Sequence, residues 1–419
     1  MVFSPMTIDI CKRFQAAGYW AVLVGGCVRD GILGRAATDL DIEIFGAESL
    51  ADVKLVINDL GPVSMVGQSY QVLKLRVGEQ EFDFSLPRRD VKVGSGHRGF
   101  VVETDAKMSF EEAASRRDFT MNAMGFDPLT ETLLDPFGGQ ADLKNKVLRH
   151  VGPAFSEDPL RALRAVQFVG RFELSIAPDT AQLCRKLSLN ELARERVFAE
   201  LDKLLLLSET PSLGFEAMEE TGVLALFPEL ARIRLDRETW DVMMASLDRL
   251  SLMDLDFKFE RKRRRIVMFS LLCRVMTPDE CAAFLDRLTQ DRELVGAAVR
   301  LSMETLNPDD IVWLQDADLD IILRRLSLKV CIYEWIMGWM AVGAEFEKLE
   351  RLQDRAEFIG VIESAPAALI LGRHMIELGV TPGPEVGKWV KQAYEAQLDG
   401  IFATEEDGIV WISDQFLGH

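Results

Sequence analysis

The chain has 419 residues, more than one hydrophobic core usually serves, so we expect several packed modules. Its 48% hydrophobic and 27% charged residues are typical of a globular protein, and its longest apolar runs fall short of the roughly 18 residues of a membrane-spanning helix. The formal net charge of −19 argues against a surface built throughout for nucleic acid, because affinity for phosphate comes largely from Lys and Arg.

The cysteines are scattered and never form a CxxC pair, which indicates reduced, buried thiols. No basic N-terminal segment is followed by an apolar core, so we expect no secretory signal. These features favour a cytoplasmic protein without membrane association. We infer no obligate protein partner, and the oligomeric state stays open.

The first 150 residues mix strand and helix signals with glycine turns. An apolar run over residues 21–24 ends in Gly25-Gly26, which predicts a buried strand, a tight turn and then a helix. From Asp39 to Phe45 acidic and apolar residues alternate, so Asp39, Asp41 and Glu43 share one face of a strand.

Two further strands are predicted over residues 72–77 and 81–85, joined as a hairpin across Gly78-Glu79-Gln80. Residues 88–98 are polar and contain glycine, which predicts a mobile loop. A lone histidine in that loop, His97, is the kind of residue that is usually just exposed.

Beyond residue 150, Leu, Ala, Arg and Glu recur at three- and four-residue spacing. This predicts helices over residues 158–172, 193–207, 213–227 and 385–398. The predicted fold class is α+β, with a head of mixed β-sheet and helices followed by an all-helical neck, body and tail. We place these modules at residues 1–150, 151–230, 231–355 and 356–419.

The head contains a candidate metal and phosphate site. Bare backbone N–H groups at Gly25-Gly26, at the start of a helix, favour phosphate, although such a pair often only makes a turn. Asp39 and Asp41 can bridge one or two Mg²⁺ ions, because residues i and i+2 of a strand project from one face. Asp83, on the same face of the hairpin as Glu81, could complete a cluster of three carboxylates.

Longer motifs in the head carry a resemblance to a known family. They are Leu23-Val-Gly-Gly-Cys-Val-Arg-Asp-Gly-Ile-Leu-Gly-Arg35 with Asp39-Leu-Asp41-Ile, then Arg116-Arg-Asp-Phe-Thr-Met-Asn-Ala123, then Leu134-Asp-Pro-Phe-Gly-Gly139. Their order resembles the class II tRNA nucleotidyltransferases and bacterial poly(A) polymerases, which belong to the DNA polymerase β-like superfamily. The resemblance implies a head of that fold and nucleotidyl transfer from CTP and ATP to the 3′ end of tRNA.

The resemblance also implies roles for single residues. Asp39 and Asp41 would hold two catalytic Mg²⁺ ions, with Asp83 as the third carboxylate. The triphosphate would lie against Gly25, Gly26 and Arg29, and the sugar and phosphates against Arg117, Asp118 and Asn122.

The segment Ser156-Glu-Asp-Pro-Leu-Arg161 resembles the family's nucleotide-selecting motif. With proline in the first helical turn, Asp158 and Arg161 are predicted at i and i+3 on one helix face. A carboxylate that accepts and a guanidinium that donates match the shared edge of cytosine and adenine and reject uracil and guanine. An ordinary salt bridge is the plain alternative. Arg164 would hold this pair or touch phosphate, and residues 195–200 resemble a supporting neck motif.

The rest of the chain is less specific. In residues 269–274, Cys273 and Arg274 stand where some relatives' phosphohydrolase module has metal ligands, so the body is predicted to be at most a degenerate form of that module. Basic residues that could grip tRNA phosphates are Arg261, Arg263, Arg264, Arg373 and Lys388, although a solvated helix face also explains the run at 261–265.

Several functions are compatible with these motifs. The preferred one is addition of CCA to tRNA. Close alternatives are CC addition, A addition and poly(A) synthesis. A catalytically idle RNA-binding protein of the same fold is a different class of alternative, and a nucleotide-sugar transferase leaves the motifs at Asp118 and Asp158 unexplained.

Overall fold

The computed structural model describes residues 1, 3–37, 39–66, 72–92, 100–253 and 260–417, with the backbone alone at residues 89–92, 100–103 and 417. The chain divides into two compact units. The first is Met1–Glu200 with Leu213–Leu226, and the second is Leu201–Ser212 with Phe227–His419. The finer division into head, neck, body and tail stays a prediction.

The strands lie in the first unit. They are β1 (Trp20–Val24), β2 (Asp39–Phe45), β3 (Val63–Val66), β4 (Val72–Val77), β5 (Gln80–Ser85), β6 (Arg88–Lys92), β7 (Phe100–Thr104), β8 (Gly125–Asp127), β9 (Thr132–Leu134), β10 (Val147–Leu148) and β11 (Ser175–Ile176). Seven of them form one mixed sheet in the order β3-β4-β5-β2-β1-β8-β9. Within that sheet β2 and β5 run parallel, and the other neighbours are antiparallel.

The centre of this sheet follows the predicted strand pattern. Residues 21–24 of β1 are buried, as their apolar run predicted, and the chain turns at Gly25 into a helix. On β2 the apolar side chains Leu40, Ile42 and Ile44 are buried in the core, which confirms the alternation. The mixed sheet with helices confirms the predicted α+β head.

The head hairpin has a shorter turn than predicted. Gln80 pairs with Val77 and therefore belongs to β5, which leaves the two-residue turn Gly78-Glu79. The backbone angle φ of Gly78 is 63°, which suits the left-handed conformation of such turns. This one-residue correction sets which side chains of β4 and β5 face each other.

The predicted loop over residues 88–98 is wrong at its start. Residues 88–92 form β6, which pairs antiparallel with β7. His97 and the other residues from 93 to 99 lie outside the described residues.

Short helices surround the sheet, and longer ones follow it. Those up to residue 226 are α1 (Pro5–Ala16), α2 (Gly26–Ile32), α3 (Leu50–Ile57), α4 (Phe110–Ala114), α5 (Gly139–Lys144), α6 (Arg161–Phe172), α7 (Pro178–Arg185), α8 (Arg194–Leu207) and α9 (Pro211–Thr221), with 3₁₀ turns at Thr120–Asn122, Pro153–Glu157 and Val223–Leu226. Helix α8 confirms the prediction for residues 193–207, whereas the one for 213–227 is interrupted at Gly222, where φ is 77°. The two-residue strand β11 pairs with β10 beside these helices.

The second unit is helical in its described parts. Its helices are α10 (Pro228–Ile233), α11 (Arg237–Met253), α12 (Arg261–Cys273), α13 (Pro278–Leu288), α14 (Arg292–Met303), α15 (Pro308–Ile311), α16 (Asp316–Ser327), α17 (Ile332–Val342), α18 (Phe346–Phe358), α19 (Gly372–Glu377), α20 (Pro384–Leu398) and α21 (Glu405–Leu417). Fully buried aromatic side chains fill its interior, among them Trp240, Phe269, Phe284 and Trp335. None of the described helices is long and apolar enough to cross a membrane.

Candidate active site

Three acidic side chains meet on neighbouring strands of the head sheet. In the parallel pair of β2 and β5, Asp41 lies directly opposite Asp83, and Asp39 lies opposite Glu81. Residues at i and i+2 share a face, so Asp39 and Asp41 project with Asp83 from one side of the sheet. The strand register thus brings together the three carboxylates that the sequence singled out.

Burial and neighbouring charges both act on this carboxylate cluster. Burial is the main cause that raises the pKa of Asp41 above its ordinary 3.8; Arg117 lowers it in part, and the carboxylates of Asp83 and Asp39 raise it again. The Oδ1 atom of Asp83 is buried and makes no hydrogen bond. Nearby, Oε2 of the buried Glu43 lies 3.6 Å from Nη2 of Arg117. A carboxylate cluster held this way favours a bound cation.

The turn that follows β1 brings backbone against this cluster. Gly25 has φ 74° and ψ −131°, a conformation that residues with a Cβ avoid. A Cβ at this position would lie 2.9 Å from Nη1 of Arg117 and 3.8 Å from Oδ2 of Asp41. Glycine is therefore needed here for the guanidinium of Arg117 to approach the carboxylate of Asp41.

A buried chain of hydrogen bonds connects the predicted nucleotide-binding residues. Arg29, only 4% exposed, donates to Oδ1 of Asn122 at 2.7 Å and also bonds Asp30. Asn122 donates to Oδ1 of Asp118 at 3.0 Å, and Nε of Arg164 donates to Oδ2 of Asp118 at 2.7 Å. Because its guanidinium is held inside, Arg29 fixes the position of Asn122, and its contact with triphosphate stays a prediction.

Asp118 is the centre of this chain of bonds. Burial alone would raise its pKa, but the charge of Arg164 and the hydrogen bonds from Asn122 and Arg164 hold the pKa of Asp118 below its ordinary 3.8. A second contact runs parallel, since Nη2 of Arg161 donates to the carbonyl of Arg116 at 2.7 Å. Two arginines of α6 are thus tied to the head motif at residues 116–118.

The predicted geometry of Asp158 and Arg161 is wrong. Asp158 has φ −124° and ψ 101° and precedes the helix, which begins at Arg161. The reason is Pro159, because a residue before proline is driven out of the helical region. The carboxylate of Asp158 accepts from the backbone N–H of Leu160 at 3.1 Å and from Nη2 of Arg196 at 2.7 Å. The salt bridge that holds Asp158 therefore comes from α8.

Two profiles of known protein domains match parts of this chain. The profile described as "Poly A polymerase head domain" matches residues 21–149, which include the carboxylates, the glycine turn and the motif at Asp118. A second profile, "Probable RNA and SrmB- binding site of polymerase A", matches residues 173–234. The chain therefore matches one profile over its predicted head and a second over residues 173–234.

Similar proteins are named as CCA proteins. The chain is 43% identical over 217 residues to a "Multifunctional CCA protein" of Xanthomonas campestris pv. campestris, and 42% identical over 217 residues to one of Stenotrophomonas maltophilia. Each match covers 50% of this chain and 50% or 51% of the relative, so the matched part spans about half the length of these relatives.

Solved structures of CCA-adding enzymes share the fold. The Bacillus stearothermophilus enzyme in complex with CTP gives a TM-score of 0.77 at 24% identity and covers 99% of both chains. The Thermotoga maritima enzyme complexed with tRNA gives 0.65 at 21% identity, over 99% of this chain and 96% of that one. At these identities the likeness concerns the fold.

The basic residues predicted to bind RNA are mostly paired with acids. Arg263 pairs with Glu363, and Arg261 lies 3.8 Å from Asp202, while Arg264 is buried. In the same run Lys262 pairs with Glu293 and Arg265 with Asp202. In the tail, Arg373 lies 3.6 Å from Glu405, and Lys388 is exposed. Their role in binding RNA stays a prediction.

Two residues that contact the predicted site residues are not predicted by the sequence motifs. The sequence predicts Arg196 only as part of a supporting motif, yet it is the partner of Asp158. No sequence pattern singles out Lys74, although its Nζ lies 2.8 Å from Oδ2 of Asp83. A two-residue hairpin turn would have revealed it, since that turn places Lys74 opposite Asp83.

No group of three or more His, Cys, Asp and Glu side chains in the described ranges is spaced as a ready-made metal site. In the body, Cys273 is buried beside Cys281, and Arg274 lies over the ring of Trp339 at 4.5 Å. These residues pack as an ordinary helical core would.

Proposed function

We propose that this chain is a template-independent nucleotidyltransferase that adds CCA from CTP and ATP to the 3′ end of tRNA and releases pyrophosphate. The observation that carries the proposal is the register of β2 and β5, which sets Asp41 opposite Asp83 with Asp39 on the same face. Gly25 and Arg117 border this cluster, and the proposal assigns the triphosphate to them. Charge and position, without a covalent intermediate, are what nucleotidyl transfer requires of a protein.

The types of residue present fit divalent metal, although no group of three or more described His, Cys, Asp and Glu side chains is spaced as a ready-made site. The buried Oδ1 of Asp83 lacks a hydrogen bond, and burial raises the pKa of Asp41, so the cluster has unmet affinity for a cation. Carboxylate oxygens are the protein ligands that Mg²⁺ prefers. Asp39 and Asp41 would hold two Mg²⁺ ions, with Asp83 beside them. When bound, Mg²⁺ supplies charge for the triphosphate and a lower pKa for the attacking 3′-hydroxyl.

The protein's own groups orient the nucleotide. Arg117, partly exposed beside Asp41, is placed to meet phosphate oxygens, which a planar guanidinium binds with two parallel hydrogen bonds. The buried hydrogen bonds of Asp118 to Asn122 and Arg164 hold in place the side chains that are proposed to contact the sugar and phosphates. Because these side chains are already held by hydrogen bonds, they need little rearrangement during the reaction, which is what electrostatic preorganisation means.

Base selection is assigned to Asp158 and Arg161. Asp158 accepts two hydrogen bonds, and a carboxylate has about four lone-pair sites, so it retains acceptor capacity. Arg161 donates to the carbonyls of Ala154 and Arg116 and, with five N–H groups, retains donors. Cytosine and adenine both present an amino donor beside a ring nitrogen acceptor, whereas uracil and guanine reverse this order and would leave buried polar groups unpaired.

The proposed partner is tRNA, and the proposed setting is the cytoplasm. The neighbours with CTP, ATP and tRNA in their names support this choice of substrates. Arg373 and Lys388 in the tail, and the arginines Arg261, Arg263 and Arg264 of α12, are the proposed phosphate contacts.

Extension of tRNA transcripts tests the proposal. Transcripts that lack the terminal CCA, that end after CC, and that are complete are each supplied with CTP, ATP or both. We expect addition that completes CCA and then stops. Termination after CC, addition of A alone, or growth of a poly(A) tail would each replace CCA addition by the corresponding sibling activity. Failure to extend any transcript would instead support an idle RNA-binding protein.

A further inference from the structure

Lys74 occupies a position on β4 that contacts the carboxylate cluster. The two-residue turn Gly78-Glu79 sets the antiparallel register of β4 and β5 so that Lys74 lies opposite Asp83. Nζ of Lys74 lies 2.8 Å from Oδ2 of Asp83, and the side chains are 41% and 27% exposed. This is a short ion pair at the border of the cluster.

Asp83 lies between a strand that presents a cation, β4, and a strand that presents a carboxylate, β2. Its neighbour in the register of β4 is Lys74, and its neighbour in the register of β2 is Asp41. Its Oδ2 is bonded to the lysine, while its Oδ1 is buried and has no hydrogen bond. The two oxygens of one carboxylate are thus in opposite states, one neutralised and one left available.

The next row of the same sheet offers a natural comparison. Arg76 lies opposite Glu81, and Glu81 lies opposite Asp39. Here the nearest nitrogen and oxygen are 4.0 Å apart, and the side chains are 69% and 47% exposed. A pair so exposed contributes little to the position of either side chain. The ion pair of Lys74 with Asp83 is therefore short, whereas the ion pair of Arg76 with Glu81 is long and exposed.

We propose that Lys74 is a positioning residue for the proposed nucleotidyl transfer: its ammonium group holds Oδ2 of Asp83, offsets part of the negative charge of the cluster, and leaves Oδ1 without a competing partner. This role rests on the proposed function, in which Asp83 is the third carboxylate. A lysine beside a dication site also repels the cation. Lys74 therefore restrains cation binding while it improves the placement of Asp83 for turnover.

The two effects have opposite signs, which makes the proposal testable. Binding of Mn²⁺ to the free full-length protein is measured by electron paramagnetic resonance of the unbound ion, and turnover is measured as addition of CMP to tRNA at saturating Mg²⁺. For Lys74→Met we expect Mn²⁺ affinity to rise about fivefold because a repelling charge is removed. We expect kcat to fall about tenfold while KM for CTP changes less than about twofold, because the loss affects the transition state.

Two variants provide the controls. Lys74→Arg keeps a cation at this position and is expected to restore both Mn²⁺ affinity and kcat to near wild type. Arg76→Met removes the same charge from the same face of the same strand, two residues away, and is expected to change neither. Equal melting temperatures of the variants would show that they are folded.

The contrary results are distinct. Unchanged or weaker Mn²⁺ binding by a folded Lys74→Met variant would overturn the proposal, and so would an equal response of Arg76→Met. Absence of tRNA extension by the wild type would refute the proposed function alone, because the Mn²⁺ comparison of the two methionine variants still decides whether Lys74 controls the cluster.

Discussion

Substitution of Gly25 by alanine is expected to have two effects that can be measured separately, a loss of stability and a loss of turnover. With φ 74° and ψ −131°, an alanine at this position is strained by about 1–3 kcal/mol. In addition its Cβ would lie 2.9 Å from Nη1 of Arg117, the movable end of a long side chain, so the guanidinium shifts away. Loss of one donor to developing charge typically slows turnover about a hundredfold, which we expect for the addition of CMP to tRNA.

Gly18→Ala is the matched control for backbone strain. Gly18 has φ 86°, and a Cβ there would have no described atom within 4 Å. We expect a loss of about 1–2 kcal/mol in the free energy of unfolding by urea, with unchanged turnover. If Gly18→Ala slows addition as strongly as Gly25→Ala, or if Gly25→Ala keeps full activity, the assigned role of Arg117 is wrong.

Further predictions concern the charges buried elsewhere. The pKa of Asp118 is depressed in the folded protein, so the stability that its carboxylate contributes is present above its ordinary 3.8 and is lost as the pH falls through the folded value. Asp118→Asn should therefore lower the free energy of unfolding in urea by about 3 kcal/mol near neutral pH. A loss of the same size in acid would contradict this assignment. Burial raises the pKa of Glu334 from 4.5 to about 7, so its contribution is lost as the pH rises through about 7. Glu334→Gln should gain up to about 3 kcal/mol in unfolding free energy at about pH 8 and little near pH 4.5, and an equal gain at both would refute the assignment. Arg196→Met, which frees Asp158, should lower kcat/KM for CTP about tenfold with less than about 1 kcal/mol change in stability, and unchanged preference for CTP over UTP would contradict its role.

The sequence predicts the head site well where one strand alone determines it. Alternation along β2 places Asp39 and Asp41 on one face because a strand has a period of two residues. The glycine turn after β1 and the motif at Asp118 are likewise local features. Which carboxylate of β5 faces Asp41 depends on pairing between strands that are distant in sequence, and a one-residue difference in the hairpin turn was enough to hide Lys74.

The neck shows a different limit of sequence reasoning. Helical spacing placed Asp158 on the same helix as Arg161, but the proline that follows Asp158 holds that residue in an extended conformation. Its partner, Arg196, lies 38 residues further along the chain, and only the packing of α8 in the first unit brings them together. In the same way the run of five basic residues at 261–265 gives no hint of the acidic side chains that neutralise it.

The most direct test of the central claim compares two aspartates of the same compact unit. Asp41 belongs to the carboxylate cluster, whereas Asp59 lies on the surface in a pair with Arg13. Both are replaced by alanine, and the addition of CCA to tRNA is measured with folding confirmed by circular dichroism. We predict that Asp41→Ala abolishes addition while Asp59→Ala leaves it unchanged. Full addition by a folded Asp41→Ala variant would show that the carboxylates of β2 and β5 do not carry the reaction.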